Sequence, residues 1–272
     1  GEPRSRLMRA GDALRAAAKR IDRLDAEVLL AHLLDTSRMA LLLAQDRDLD
    51  NAAFTALVDR RASGEPVAYI TGRREFWSLD LTVTPDVLIP RPDSETLIEA
   101  ALAAFGDFAP QSILDLGTGS GALLLAALDC WPGAFGVGID RSESAARVAR
   151  DNAVRLGMPA SFMVGDWATA VEARFDLVLA NPPYVESHAE LARDVRDHEP
   201  ASALFAGDDG LDAYRVLVPA LPALIADGGI ALVEIGATQA DAVADLAAQA
   251  GLAAQLHRDL AGNPRALALR HA

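Results

Sequence analysis

The chain has 272 residues, 51% of them hydrophobic and 24% charged, enough for one large domain or a full domain with a small one beside it, and too apolar for a disordered chain. One cysteine, Cys130, excludes an internal disulfide framework and fits a reducing, cytoplasmic compartment; no stretch reaches the ~20 apolar residues of a membrane span. The net charge is −14, with 12 basic and 11 acidic residues in 1–73 but 13 and 28 in 74–272. So acidic a larger lobe is poorly suited to tracking a phosphate backbone and favours a protein or small-molecule substrate.

The first ~65 residues read as helices by their apolar period. Leu7, Leu14 and Ile21 recur at heptad spacing with Ala10, Ala17 and Leu24 between them. Asp22 caps a second helix through Val28, Leu29 and Leu33, with Asp25 in its first turn. A third runs from about Asn51 through Phe54, Leu57 and Val58 until Ser63-Gly64-Glu65-Pro66 stops it. Residues 1–73 therefore form a small helical bundle. Its start carries Arg4, Arg6, Arg9, Arg15, Lys19, Arg20 and Arg23 against Glu2, Asp12 and Asp22, a solvated helix face or a partner contact. That start has no signal-peptide h-region, and Gly1 in place of a methionine reads as trimming.

Glu75 to Thr84 alternates apolar and polar residues, Pro85-Asp86 is a turn and Val87-Leu88-Ile89 returns, so 74–90 is read as a β-hairpin linker. Pro90-Arg91-Pro92-Asp93-Ser94-Glu95 ends it and caps a helix of about 94–105. From there to residue 272 strands and helices alternate, the pattern of an α/β sheet. Strands are expected near Ser112–Leu114, Ala134–Ile139, Ala160–Val164, Phe175–Ala180, Gly229–Ile235, Ala253–His257 and Ala266–Leu269. The last two have no helix between them and should pair antiparallel at the sheet edge. Cys130, within an apolar helix, is read as a buried packing residue.

Four features at strand ends carry the chemistry. Gly117-Thr118-Gly119-Ser120-Gly121 follows the first strand and opens a helix, so the backbone can approach a ligand closely. Alone this turn also fits nicotinamide or flavin enzymes, and so does Asp140, placed to accept from two ribose hydroxyls. Asp115 discriminates, because its carboxylate would repel a pyrophosphate but suits an ammonium. Asp166 ends the third strand, where it can bind an adenine amino group with Trp167 packed on the ring. Asn181-Pro182-Pro183-Tyr184 follows the apolar strand Phe175–Ala180 and suits a planar NH2 group. Asn181 Oδ1 and the Pro182 carbonyl each accept one N–H, the prolines fix the backbone, and Tyr184 offers a flat face. The chemistry pointed to is on an amide or amino nitrogen. His188, His198 and Glu199 read as loop or cap residues, and no ligand spacing supports a metal.

Seven strands with that ending resemble a Rossmann-like S-adenosylmethionine-dependent methyltransferase. In particular, the chain resembles the protein-(glutamine-N5) methyltransferases that modify peptide release factors, the HemK/PrmC family. The resemblance rests on Gly64–Ile70, Arg74–Trp77, Leu88–Thr96, Asp115–Gly121, Asn181–Tyr184, Glu199-Pro200 and Gly207–Leu211. Ser94 stands where a threonine is usual, and a sister group acting on a ribosomal protein has Arg-Ser-Pro-Ile-Ala-Glu there. The resemblance implies methylation of the glutamine of a Gly-Gly-Gln motif. It implies cofactor contacts by Gly117–Gly121, Asp140, Trp167 and Asn181, with Asn181–Tyr184 holding the glutamine. The expected protein is a monomer whose helical bundle docks the substrate. Rival readings are a nucleic-acid methyltransferase acting on adenine N6 or guanine N2, and a catalytically silent cofactor-binding regulator of translation.

Overall fold

Among residues 7–272, which the computed structural model describes, contacts separate two units. One holds the chain up to Arg73 with Leu191–His198; the other holds Arg74–Glu190 with Glu199–Ala272. Arg4 and Arg6 lie outside the described residues.

In the first unit the elements are β1 (Leu7–Arg9), α1 (Ala10–Ala17), α2 (Arg23–Leu33), α3 (Arg38–Leu43), β2 (Asp48–Asp50), α4 (Asn51–Ala62) and α5 (Val67–Thr71). Asp22 caps α2 by accepting from Leu24 N at 2.8 Å, Ser37 caps α3 and Asp50 caps α4. Each offers an oxygen to a backbone N–H that the helix cannot satisfy itself. Leu14, Leu29, Leu30, Phe54 and Val58 meet in the core. The heptad stripe does not make one helix. Leu7 sits in β1, paired with Asp50 of β2, and is 68% exposed. A strand ladder holds the start of that stripe, so its period is only half used. Among the described residues of the basic segment, Arg15 pairs with Asp12, Arg20 with Asp59 and Arg23 with Glu27.

From the last residue of the first unit the chain runs into β3 (Arg73–Phe76) and then β4 (Leu79–Thr82), joined by Trp77-Ser78 with φ of 52° and 62°. Two left-handed residues make the tight turn whose twist matches a hairpin. The stretch read as one strand is thus two, and Val87–Ile89 is not a strand. The signal lay in parity: buried Phe76 and Leu79 are three apart, whereas Leu79, Leu81 and Val83 keep period two.

Then come a single 3₁₀ turn (Pro92–Ser94), α6 (Glu95–Phe105), β5 (Ser112–Leu116), α7 (Ala122–Cys130), β6 (Phe135–Asp140), α8 (Glu143–Leu156), β7 (Ala160–Val164) and β8 (Phe175–Ala180). After α9 (Arg193–His198), which clusters with the first unit, follow α10 (Asp212–Leu224), β9 (Ile225–Glu234), α11 (Ala240–Gln249), β10 (Leu252–Arg258) and β11 (Pro264–His271). All seven expected strands form one sheet in the order β10-β11-β9-β8-β5-β6-β7. β5, β6, β7, β8 and β9 run parallel, while β11 lies antiparallel between β9 and β10. One apolar layer packs α6 and α7 on the sheet around Leu97, Ile98, Leu124 and Leu125; another packs α10 and α11 around Tyr214, Leu217, Leu221 and Val243. Strand order reverses between β5 and β8, where α/β sheets open a crevice at their C-terminal ends. Among the described residues no helix is long and apolar enough to cross a membrane.

Candidate active site

A cavity of about 1090 Å³ opens at that crevice. Asp115, Gly117, Thr118, Gly119 and Ser120 line it from the end of β5, Asp140 from β6, Asp166 and Trp167 after β7, and Asn181 and Pro183 after β8. A smaller one, of about 340 Å³, is lined by Arg91, Pro182, Tyr184 and Glu234, and it shares Leu88, Asn181 and Ala203 with the first. Asn181 therefore stands at the junction of the two.

The glycine turn has φ of 73°, 54° and 85° at Gly117, Gly119 and Gly121, a left-handed run that side chains resist. Gly119 N donates to Asp140 Oδ2 at 2.9 Å, while Asp140 Oδ1 takes Ser142 N. The acid expected at a ribose thus also fastens the turn. Gly121 is not on the cavity wall. A Cβ there would stand 3.2 Å from the Ala149 Cβ, so its lack of a side chain serves the packing of α7 on α8.

Asp115 is 1% exposed. Its Oδ2 accepts from Thr118 Oγ1 at 2.7 Å, and its Oδ1 is buried without a hydrogen-bond partner. Burial pushes its pKa up to about 7, since a buried charge with so few donors is poorly solvated. A carboxylate left open toward a cavity fits a cationic ligand group such as an ammonium. Trp167 holds φ of 49°, an unusual conformation for a bulky residue; its ring lies against the turn, 3.7 Å from where a Cβ on Gly117 would stand. Asp166 begins a turn, its carbonyl accepting from Thr169 N and Oγ1.

The Asn181–Tyr184 segment is braced from behind. Gln239 Nε2 donates to the Tyr184 carbonyl at 3.1 Å and to that of Gly210 at 3.2 Å, while its Oε1 accepts from Gly236 N. A Cβ on Gly210 would stand 2.4 Å from the Tyr184 carbonyl oxygen, which accounts for glycine in the Gly207–Leu211 segment. Tyr184 OH donates to Glu234 Oε1 at 3.3 Å, and Ser94 Oγ donates to Glu234 Oε2 at 2.5 Å.

Sequence reasoning missed Glu234 and Gln239 and misjudged Glu199. Glu199 is neither loop filler nor cap: it is 6% exposed, and it accepts from Ile89 N at 3.0 Å and Arg91 Nη2 at 2.5 Å. It ties down the Pro90 loop. Glu234 did have a signal, a carboxylate ending the apolar run Ile230–Val233 of a central strand. His188 is exposed, and His198 ends α9. Cys130 is half-buried at the core edge, where burial raises its thiol pKa and keeps it protonated.

The sheet order and the crevice at its strand ends define a Rossmann-like methyltransferase fold. Residues 93–198 match the model of the methyltransferase small domain, and residues 6–72 match the PrmC N-terminal domain. A release factor glutamine methyltransferase of Rhodospirillum rubrum is 46% identical, covering 97% of this chain and 83% of that protein. One of Burkholderia pseudomallei is 43% identical over 94% of each. Among solved structures, a Thermus thermophilus 16S rRNA N2 G1207 methyltransferase is similar in fold, with a TM-score of 0.56 at 20% identity over 74% of this chain and 50% of that one. The chain belongs to the release factor glutamine methyltransferase family.

Proposed function

We propose that the protein transfers a methyl group from S-adenosylmethionine to the side-chain amide nitrogen of the glutamine in the Gly-Gly-Gln motif of peptide chain release factors. The observation that carries this reading is the place of Asn181, at the junction between the larger cavity and the smaller one lined by Pro182 and Tyr184. The larger cavity would hold the cofactor, with Asp115 toward the methionine ammonium, Asp140 toward the ribose, and Asp166 and Trp167 toward the adenine. When bound, that cofactor supplies an electrophilic methyl on a sulfonium.

An amide nitrogen is a weak nucleophile because its lone pair is shared with the carbonyl. Asn181 Oδ1 and the Pro182 carbonyl accept its two hydrogens, aim the nitrogen and draw positive charge onto the N–H groups as it forms; once the methyl has passed to nitrogen, one of the two protons leaves to water. Alignment of this kind supplies up to about 7–11 kcal/mol of a barrier. Each hydrogen bond that becomes charge-assisted adds about 1.5–3 kcal/mol. Tyr184 stays a neutral phenol, its pKa pushed up to about 12 by burial and by Glu234; it packs on the glutamine and takes no proton. The first unit docks the protein substrate, since a Gly-Gly-Gln loop alone offers little surface for selectivity.

The test is incubation with methyl-labelled S-adenosylmethionine and a purified bacterial release factor, followed by mapping of the label by mass spectrometry. Label on the Gly-Gly-Gln glutamine is the expected result. Label on RNA, DNA or a ribosomal protein instead would overturn the substrate while keeping the fold.

A further inference from the structure

Asn181 can accept a substrate N–H only if its amide faces the right way, because its two ends, oxygen acceptor and NH2 donor, are nearly equal in shape. Asn181 Nδ2 donates to Ser94 Oγ at 3.4 Å, and Ser94 Oγ donates to Glu234 Oε2 at 2.5 Å. A serine hydroxyl has one hydrogen. Once that hydrogen is committed to the carboxylate, Ser94 has only lone pairs left for Asn181. Asn181 must then present its NH2 to Ser94, and its oxygen is turned away from Ser94.

We propose that Glu234 is a positioning residue for methyl transfer, its carboxylate fixing through the Ser94 hydroxyl the amide orientation of Asn181, and through the Tyr184 phenol the placement of that ring. The proposal rests on the reading of Asn181 as acceptor for the substrate amide. Glu234 itself touches none of the reacting atoms, and no proton leaves along the relay.

The surroundings are built for one carboxylate in one place. Glu234 is 1% exposed at the end of β9, and its own backbone carbonyl accepts from Tyr214 OH of α10 at 2.8 Å. The charged and titratable groups facing it are Arg265 from β11, Asp93 from the 3₁₀ turn, Tyr184 and Tyr214. Arg265 favours the charged form but is shared with Asp93 at 3.2 Å and Asp259 at 3.1 Å. Burial outweighs it and raises the Glu234 pKa to about 7.

Protonation would reverse the relay. A carboxylic acid donates to Ser94 Oγ, whose hydrogen is then free for Asn181 Oδ1, and the Asn181 amide turns its NH2 toward the substrate. Two N–H groups then face each other and the acceptor is lost. Activity at saturating cofactor should therefore fall as pH drops through about 7.

The test uses the full chain and a purified release factor, reading kcat from pH 6 to 9 at saturating cofactor, with cofactor affinity by calorimetry and folding by thermal melting. In E234Q the amide can turn either its oxygen or its NH2 to Ser94, so the Ser94 hydrogen is no longer fixed in one direction; kcat at pH 8 falls about tenfold, the loss of one charge-assisted hydrogen bond, and the acidic limb disappears. Ser94→Ala shows the same loss, and Ser94→Thr, which keeps the hydroxyl, restores activity. Cofactor affinity in E234Q stays within about twofold of the parent, because Glu234 lines the smaller cavity and not the larger one that holds Asp115.

Wild-type kcat in Ser94→Ala, or an unchanged acidic limb in E234Q, overturns the inference. A merely structural role would lower melting temperature and cofactor affinity together, and that result overturns it too. Failure of the parent protein to methylate any release factor glutamine would instead bring down the underlying reading, so the two failures are separable.

Discussion

Asp115 combines a need and a liability in one side chain. Its pKa rises from 3.8 to about 7 on burial, so between those values the folded chain keeps a proton that the unfolded chain has released. By linkage, stability falls as pH rises through that window and stays low above it. Asp115→Asn should stabilise the cofactor-free protein at pH 8 by on the order of a few kcal/mol at most, read as a higher melting temperature, with little change near pH 4. The same change should weaken cofactor binding about tenfold or more, since a charge-assisted contact to the ammonium is lost. Undiminished affinity in the variant at pH 8 would reject the ammonium site. Asn181→Ala, by contrast, should abolish turnover and leave cofactor affinity measurable by calorimetry; full activity would sink the amide-acceptor role. Asp115, Asp140 and Asn181 were legible as residues because each stands at the C-terminal end of a strand, Asp115 just ahead of the glycine turn and Asn181 directly before Pro182. Ser94 was seen only as a small departure from threonine. Its hydroxyl partner Glu234 lies 140 positions away, a distance that no local pattern bridges.

Elements position these residues by close approach. β6 passes the glycine turn so tightly that a Cβ on Gly138 would stand 2.7 Å from the Phe162 ring and 2.9 Å from Thr118 Oγ1. Gly138→Ala should therefore destabilise the protein by about 1–3 kcal/mol. It should also weaken cofactor binding, because Thr118 is the one side chain hydrogen-bonded to Asp115; a melting temperature equal to the parent's would contradict this. Most strands of the large sheet were plain in the sequence as short apolar runs near Gly, Pro or Asp, such as Ala160–Val164 between Pro159 and Gly165. The hairpin was harder. Trp77 and Ser78 are poor turn residues by composition, and Trp77 is fixed there by Glu95 Oε1, which accepts from Trp77 N at 2.9 Å. Tertiary context overrode local preference at that turn, as it did for Leu7, which a two-stranded ladder takes out of the expected helix.

At the scale of the molecule, each unit has its own apolar core. Deleting residues 1–72 should leave cofactor affinity near the parent value and raise KM for the release factor; unchanged kinetics on full-length substrate would contradict the docking role. The strong negative charge of residues 74–272 predicts no salt-sensitive retention of duplex DNA in a filter-binding assay at moderate ionic strength. Composition foretold a substantial core and an acidic lobe, because both are sums over the chain. The grouping of Leu191–His198 with the first unit was not legible, since it depends on contacts such as Arg61 with Asp194 at 3.8 Å between distant segments.

The chain has three tryptophans. Trp77 sits in the hairpin turn, and Trp131 is buried edge-on against Phe105 with ring centroids 5.5 Å apart. Only Trp167 lines the large cavity. Two indoles thus give a steady background of ultraviolet emission, and the third faces whatever fills the crevice. The fold carries its own optical gauge: occupancy can be followed by light from the unlabelled molecule, with the other two rings as internal reference.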